Sequence, residues 1–503
     1  MNRVRLFYAG SFITRHSLRV EHVLEFFIQV ENLGYRKDVR VVWAGEDGVW
    51  RELKARYDRP AERNRELWHA RTSFDGTHRK ELPGKIQFAL RYRVNGSEYW
   101  DNNKERNYSV FPEFGLTAPE EIRLIDVGYA PVLERGQKTC PITVAIRRSV
   151  NAGRVGIVWT TDGWKTRHDT RCAPGGPWRK MCRYSAGVPG SNGWQLWNGN
   201  LEPRDSFRIE YAVYCDTGKD IIWDNNFGRN YLARRESLKI LTLNLHCYQE
   251  ENQDEKFGRI AKAIDDLNIG VVCLQEVGER WSNGKTDYQS NAARIIREKL
   301  RRYHGRHYHL HADSSHIGFD KYLEGSAILS KYRFLSVDSG YVSATDSIYD
   351  IHSRKVVAAR IHVPYIGYIN LFSVHLSWWS NGFRQQFENL KRWTDAIGSA
   401  NSAATLLCGD FNSPAGSDGY ALVTSGRAYS DQFLAATAPN VFHKLFGRES
   451  RDWGLLQNDH RIDYIFQNRE GRLKPVFART IFMDEDYGRV SDHPGYMVEF
   501  EPQ

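Results

Sequence analysis

Two textures follow one another along the chain. As far as about residue 235, hydrophobic positions come in short alternating runs such as VRVVW (39–43), IQFALRYRV (86–94) and FRIEYAVY (207–214), separated by turns of Gly, Asp and Asn. A period of two buries one face of a strand and wets the other, so this part predicts β-sandwiches of about 100 residues each. From Leu238 the apolar runs change to KILTLNL (239–245), GVVCLQEV (270–277), KVVAARIHV (355–363), YINLFSVHL (368–376), ATLLCGDFN (404–412) and RIDYIF (461–466). Stretches near 255–268, 290–303 and 383–400 carry amphipathic helical spacing between them. Strands interleaved with helices predict an α/β layered domain of roughly 265 residues.

The front half repeats itself. Trp100-Asp101-Asn102-Asn103 leads after three residues to Asn107-Tyr108, and Trp223-Asp224-Asn225-Asn226 leads after the same gap to Asn230-Tyr231. Upstream, Trp43 and Trp50 bracket AGEDGV as Trp159 and Trp164 bracket TTDG. Leu67-Trp68 pairs with Leu196-Trp197, and Phe88/Tyr92 with Phe207/Tyr211. Ordered matches at offsets of 116 to 123 residues indicate duplicated units that differ by loop insertions. The chain therefore divides into residues 1–115, 116–236 and 237–503.

Composition sharpens this division. At 503 residues and 58.3 kDa, the chain exceeds one ordinary core. It is 41% hydrophobic and 26% charged, with a mean hydropathy of -0.58. No apolar run approaches the ~18–20 residues of a membrane-spanning helix, and the charge-broken start MNRVRLFYAGSFITRHSL does not read as a secretory leader. The expected location is the cytoplasm. The seven cysteines (Cys140, Cys172, Cys182, Cys215, Cys247, Cys273, Cys408) include no CxxC pair. They are expected as reduced, mostly buried thiols, with a local bridge among the first four left open. The net charge of +9 is uneven: of 70 basic and 61 acidic residues, 31 and 32 fall from Lys239 onward, leaving 39 and 29 in front. Ten of the fifteen tryptophans also precede residue 235. A basic, aromatic front and a near-neutral back suggest two different jobs.

In the back half, polar residues stand where apolar strands end: Asn244, Glu276, His375, Asp410 with Asn412, Asp463, and Asp492 with His493. A carboxylate or imidazole after a buried strand lies at the sheet edge, where a rigid scaffold can converge several such groups. His307, His309 and His311 alternate as on a solvated strand face. Trp378-Trp379, just past His375, are equally suited to stacking on a base or sugar and to core packing.

The motifs LNL, LQEV, SVHL, GDFN, RIDYIF and SDHP, in that order over residues 238–500, resemble the endonuclease/exonuclease/phosphatase superfamily. The resemblance implies a deoxyribonuclease-I-like, four-layer α/β sandwich and metal-dependent phosphoester hydrolysis. It further implies Glu276 as principal Mg²⁺ ligand (Mn²⁺ being the alternative ion), with Asn244 and Asp492 completing the site. Asp410 would deprotonate the attacking water and Asn412 would bond a phosphate oxygen. His493, oriented by Asp463, would bind the phosphoryl group beside His375. Softer matches assign Glu324 to orient His375, add Tyr322 as a further catalytic candidate, and place Arg354 as a phosphate-contacting arginine. His246 stands where some members carry a second acidic residue, which bears on a second metal position.

In the front half, Val-x-Asn-x-x-Tyr-x-Lys, DG-x-W and WDNN with its trailing Asn-Tyr resemble carbohydrate-binding module family 21, in the first copy more than in the second. That implies an α-glucan such as glycogen or starch as partner. Indole and phenol faces stack on sugar C–H faces, and Asn amides donate to and accept from hydroxyls. The candidate sugar-binding residues are Trp100, Asn102, Asn103, Asn107 and Tyr108, with Trp223, Asn225, Asn226, Asn230 and Tyr231 in the second copy. Trp43 and Trp159 lie inside apolar runs and suit a core equally well.

Three function classes follow: a phosphoesterase tethered to a glucan, a nuclease whose basic front half grips the polyanion, and a non-catalytic glucan-targeting scaffold. The near-neutral back half argues mildly against tight duplex binding, which Lys and Arg drive.

Overall fold

The computed structural model describes residues 3–503 apart from 17–18, 35, 62–63, 76–81, 112–115, 128–131, 176–192, 399–400, 438–459 and 485. Cys182 lies outside the described residues. The other six cysteines are free and buried. The chain forms two compact units, Met1–Glu236 and Ser237–Gln503. Among the described residues, no helix is long and apolar enough to cross a membrane.

The first unit holds two sandwiches of the same topology. Nine strands build the first: β1 (Val4–His16), β2 (Arg19–Glu31), β3 (Lys37–Ala44), β4 (Trp50–Lys54), β5 (Arg56–Ala61), β6 (Arg65–Asp75), β7 (Ile86–Val94), β8 (Ser97–Asp101) and β9 (Tyr108–Val110). Nine build the second: β10 (Leu124–Val127), β11 (Cys140–Arg147), β12 (Arg154–Thr160), β13 (His168–Arg171), β14 (Ala173–Pro174), β15 (Trp194–Leu201), β16 (Arg208–Asp216), β17 (Ile221–Asp224) and β18 (Tyr231–Arg234). In the first, β1-β2-β6-β5 form sheet 1, and β4-β3-β7-β8 form sheet 2 with β9 on β7. In the second, β10-β11-β15-β14 form sheet 3, and β13-β12-β16-β17 form sheet 4 with β18 on β16. Adding nine to a strand number in the first converts one connectivity into the other.

Alternation explains the cores. Val39, Val41 and Trp43 with Phe88, Leu90 and Tyr92 fill the first; Val155, Ile157 and Trp159 with Ile209, Tyr211 and Val213 fill the second. Trp43 and Trp159 are therefore core residues, 4% and 8% exposed. Strand register corrects one pairing in the repeat: Phe88 faces Tyr108 as Tyr211 faces Tyr231, so Phe88 corresponds to Tyr211 and not to Phe207.

The second unit is a four-layer sandwich. Its strands are β19 (Leu238–Asn244), β20 (Val271–Ser282), β21 (Lys285–Asp287), β22 (His309–Gly318), β23 (Tyr322–Ser330), β24 (Phe334–Tyr341), β25 (Lys355–Val363), β26 (Gly367–His375), β27 (Ala404–Asp410), β28 (Tyr429–Asp431), β29 (Asp463–Asn468), β30 (Leu473–Ile481) and β31 (Gly495–Pro502). Sheet 5 runs β22-β23-β20-β19-β31-β30 with β21 on β20, and sheet 6 runs β24-β25-β26-β27-β29-β28. The neighbours β19/β20 and β26/β27 are parallel. Helices α1 (Gln253–Asp266), α2 (Ala292–His304) and α3 (Phe383–Ile397) match the three stretches of helical spacing, and the short α4 (Asp418–Thr424) adds a fourth. Ser417 caps α4, its side chain accepting from the Tyr420 N–H.

The sheets pack through Ile240, Cys273, Ile328, Leu371, Leu406, Ile465 and their neighbours. Phe257 and Ile260 of α1 and Ile296 of α2 cover the outside of sheet 5; Phe387 and Leu390 of α3 cover sheet 6. Both faces of the central strands are thus buried, which is why these strands read as continuous apolar runs.

Candidate active site

Pleating carries the inward row of four central strands from hydrocarbon to polar groups. Along β19 it reads Leu238, Ile240, Thr242, Asn244; along β26, Ile369, Leu371, Ser373, His375; along β27, Ala404, Leu406, Cys408, Asp410. On β20 it reads Val271, Cys273, Gln275. One step below the strand ends, Thr242 Oγ1 lies 3.3 Å from Gln275 Oε1, Gln275 Nε2 donates to Ser373 Oγ at 3.0 Å, and Ser373 Oγ donates to the Leu274 carbonyl at 2.9 Å. This buried bridge ties the two sheets together directly beneath the polar layer. Motif reading missed Gln275 and Ser373, although both stand inside LQEV and SVHL.

Glu276 ought to point outward with Val272 and Leu274. A bulge intervenes: the register of β20 on β23 shifts between Leu274 and Val277, and Glu276 takes φ 48°. One extra residue turns the carboxylate toward the strand ends. His246 (φ 44°) and Asn412 (φ 46°) share this conformation, which non-glycine residues adopt at a cost of roughly 1–3 kcal/mol and which concentrates at functional sites. Gly409 (φ 155°) allows β27 to approach β26 so closely that a Cβ there would lie 1.8 Å from the Val374 carbonyl oxygen.

The groups converge. Asn244 Nδ2 donates to Glu276 Oε1 at 2.8 Å and to Asp410 Oδ2 at 3.1 Å. Asp410 Oδ2 lies 3.8 Å from His375 Nε2 and 4.0 Å from His493 Nε2; Glu276 Oε1 lies 4.0 Å from His375 Nε2. Asn412 donates its backbone N–H to Asp410 Oδ1 at 2.7 Å and its Nδ2 to the Leu376 carbonyl at 2.8 Å, with His375 Nε2 at 3.2 Å. His493 Nδ1 meets Asp463 Oδ2 at 2.7 Å.

Burial sets the protonation. Asp410 is pushed up to about 8 by burial and by the charge of Asp463, against the pull of His493. Burial presses His493 down, but the hydrogen bond and charge of Asp463, joined by Asp410 and Asp492, outweigh it and hold the imidazole at about 9. Burial drives His375 well below the ordinary range, with the positive charge of Arg354 adding to it. The layer therefore sets a carboxyl whose proton affinity is raised toward neutrality, an imidazolium and a neutral imidazole side by side.

The remaining expected residues stand as follows. Asn244, expected at the metal, accepts the His246 N–H through its carbonyl oxygen at 3.0 Å, and its NH₂ clamps Glu276 to Asp410. Glu324, expected to orient His375, shares a cluster with it and Glu276, one ligand atom of each lying within 4.8 Å of the others, though among the described residues no hydrogen bond joins Glu324 to His375. Burial and the Glu276 charge raise the Glu324 carboxyl to about 7. Tyr322 stacks on Tyr248 at 4.8 Å. Arg354 is buried against the charges of Glu324, Glu276 and Asp410; its Nη1 donates to the carbonyls of Ile351 and Ser353, and its Nε has no partner among the described residues. His316, not anticipated, lies 3.7 Å from Glu324. Asp492 is the exposed member, 3.6 Å from His246 Nδ1. The facing carboxylates of Glu276 and Glu324 fit a hard divalent cation, which favours oxygen donors.

The repeated WDNN loops are also reinterpreted. In the first copy Asp101 accepts the Leu6 N–H at 2.8 Å and the Tyr108 hydroxyl at 2.9 Å; in the second Asp224 accepts the Asp126 N–H at 2.8 Å and the Tyr231 hydroxyl at 2.6 Å. Asn103 and Asn226 donate to the carbonyls of Asn107 and Asn230. Asn102 and Asn225 side chains accept the N–H groups of Glu105 and Gly228. The repeat is a folding device, bond for bond. Tyr231 and Asn226, 1% and 5% exposed, are packed and cannot stack on or bond a sugar. Trp100 and Trp223 do stand in solvent, 44% and 48% exposed, as do Trp50 and Trp164 at 49% and 37%. Those last two, seen in the repeat, were not assigned to binding.

A two-sheet sandwich that gathers carboxylates, amides and a carboxylate-backed imidazolium at one end of its strands is the hydrolase architecture of the deoxyribonuclease-I-like fold. The chain belongs to the Endonuclease/Exonuclease/phosphatase family, whose model matches residues 241–493; members of this family are hydrolases that include nucleases and phosphatases. The model of the Carbohydrate/starch-binding module (family 21) matches residues 12–111. Among solved structures, an endonuclease/exonuclease/phosphatase family protein from Leptotrichia buccalis is 29% identical over 52% of this chain and 99% of its own, with a TM-score of 0.44. The human Nocturnin catalytic domain is 16% identical over 53% and 94%, TM-score 0.39. A mannosyl-6-phosphatase of Bacteroides thetaiotaomicron is 15% identical over 53% and 100%, TM-score 0.37.

Proposed function

We propose that this chain is a Mg²⁺-dependent phosphoester hydrolase, with Mn²⁺ as the alternative ion, held on an α-glucan such as glycogen or starch by two N-terminal modules. The modules are residues 1–115 and 116–236, and the catalytic domain is 237–503. The observation that carries the reading is Asp410 Oδ2, placed 3.8 Å from His375 Nε2 and 4.0 Å from His493 Nε2 while Asn244 links it to Glu276.

Glu276 and Glu324, with Asp492 alongside, would hold the ion, which when bound supplies Lewis acidity at a phosphoryl oxygen. Asp410, in its ionised form, takes the proton of the attacking water, its orientation set by the Asn244 and Asn412 N–H groups. His493, kept protonated by Asp463, donates to a phosphoryl oxygen and neutralises the charge that grows there. Neutral His375 and the Asn412 amide line the same side, and the buried Arg354 adds positive potential. Tethering raises the local concentration of glucan-borne substrate without new catalytic contacts, so a phosphate ester on the glucan is the first substrate to test.

The second reading is cleavage of a nucleic-acid strand. Trp378 and Trp379, 51% and 38% exposed, follow His375 directly, and Arg384 lies over the Trp379 ring at 5.2 Å. Exposed aromatics backed by a cation stack on bases.

Hydrolysis of bis-p-nitrophenyl phosphate should be abolished by EDTA and restored by Mg²⁺. Asp410→Asn should lower turnover by about 10³-fold, the scale of a lost electrostatic group. A metal-replete protein that cleaves neither this ester, phosphorylated glycogen, RNA nor DNA would leave only a scaffold role.

A further inference from the structure

The two sandwiches of the first unit pack through a third apolar layer that belongs to neither core. From sheet 1 it takes Phe7, Tyr8 and Leu67; from sheet 3 it takes Ile125, Val127, Ala145, Trp194 and Leu196. Leu67 stands next to core-facing residues on β6, and Ala145 between the core residues Val144 and Ile146 on β11. These are the backs of the two sheets. The bulge between Leu6 and Tyr8 in β1 turns two successive aromatics, Phe7 and Tyr8, into this layer. At its edge Arg59 Nε donates to Asn226 Oδ1 at 2.8 Å, and Phe7 meets Phe227 at 4.8 Å.

The layer order is therefore sheet 2, sheet 1, sheet 3, sheet 4. The exposed indoles sit on the two outermost faces. On sheet 2, Trp100 stands opposite Arg91 and Trp50 opposite Ala44, with Arg91 held by Glu52 at 2.6 Å. On sheet 4, Trp223 packs beside Tyr214 at 5.2 Å, and Trp164 Nε1 donates to Glu210 at 2.8 Å. Glu210 and Tyr214 alternate with the core residues Ile209, Tyr211 and Val213, so they face outward.

We propose that the first unit is a glucan cross-linker: its two indole-bearing faces point away from each other and engage two separate α-glucan chains, not successive turns of one. This rests on the proposed sugar-binding role of those faces. Two faces turned toward each other would clamp a single chain and gain affinity with its length. Back-to-back faces at opposite ends of a four-sheet stack gain little from length and join neighbouring chains instead, because the second site reaches only another strand.

The test uses the full chain. Calorimetry with maltoheptaose should give two sites per chain, and Trp100→Ala or Trp223→Ala should each leave one. Light scattering with glycogen should rise and then fall as protein is added, because excess protein saturates every chain singly. Each single variant should still bind glycogen yet lose the scattering rise, and Trp50→Ala and Trp164→Ala should behave alike on their own faces. Two sites with no scattering rise, or an affinity for long amylose far above that for maltoheptaose, would overturn the arrangement in favour of a clamp. A scattering rise that survives in the single variants would overturn it too, since cross-linking would then come from chain association. Failure to bind maltoheptaose at all would remove the glucan-binding reading itself, and the cross-linker with it.

Discussion

Replacing Asp463 with Asn should uncouple His493 from its charge while keeping its shape. The imidazole stands at about 9 against an ordinary 6.5, with the 2.7 Å contact to Asp463 and that carboxylate's charge as the two leading upward causes. The shift corresponds to about 3 kcal/mol in favour of imidazolium, at about 1.4 kcal/mol per unit. In Asp463→Asn the burial that opposes protonation remains and the main compensation goes, so the titration should fall by about 2.5 units or more, to 6.5 or lower. At pH 8 the protonated fraction would drop from roughly 90% to about 3%. The alkaline limb of the kcat/KM profile on a generic phosphodiester should move toward acid by a similar amount, and the loss at pH 8 should exceed that at pH 6 by about 10-fold or more. Imidazole NMR of the variant gives the titration directly. Because the folded value is raised, the pair contributes stability that is complete below pH 6.5 and fades as pH climbs through 9, so the variant's stability deficit should shrink across that window. A limb and an NMR titration that stay in place would refute the assignment of His493 as a carboxylate-sustained acid.

Gly409→Ala should lower the melting temperature and turnover together, because the new methyl would collide with the Val374 backbone at 1.8 Å and strands, unlike side-chain tips, do not give way; an unchanged melt would contradict the close approach. Gln275→Leu removes the bridge between the sheets and leaves Thr242 and Ser373 short of a partner. Denaturant unfolding should show a loss of about 1–3 kcal/mol, with kcat falling more than KM changes; an unaltered kcat would mean the bridge does not position the layer above it. Burial holds His22 at about 4 beside Ser11 Oγ at 2.6 Å, so the first sandwich should lose stability as pH falls from 6.5 toward 4. His22→Gln should flatten that dependence in a series of thermal melts.

Local pattern made much of this protein legible. Period-two runs marked the sandwich strands, amphipathic spacing located three helices, and polar residues after apolar strands announced Asn244, Glu276, His375 and Asp410 as neighbours. These signals are local, since each depends on which face of one element meets water. Tertiary structure alone decided how the groups act. No local pattern states that a bulge in β20 swings Glu276 inward, that Asn244 presents its NH₂ to two carboxylates, or that Glu324 faces Glu276 without bonding His375. The WDNN motif was plain as a repeat, yet its burial depends on a carboxylate reaching the backbone of a distant strand, so Tyr231 and Asn226 looked like binding residues. The back-to-back layer of Phe7, Tyr8 and Trp194 was equally hidden, because an apolar residue on the outer face of a sheet does not reveal which other surface will cover it.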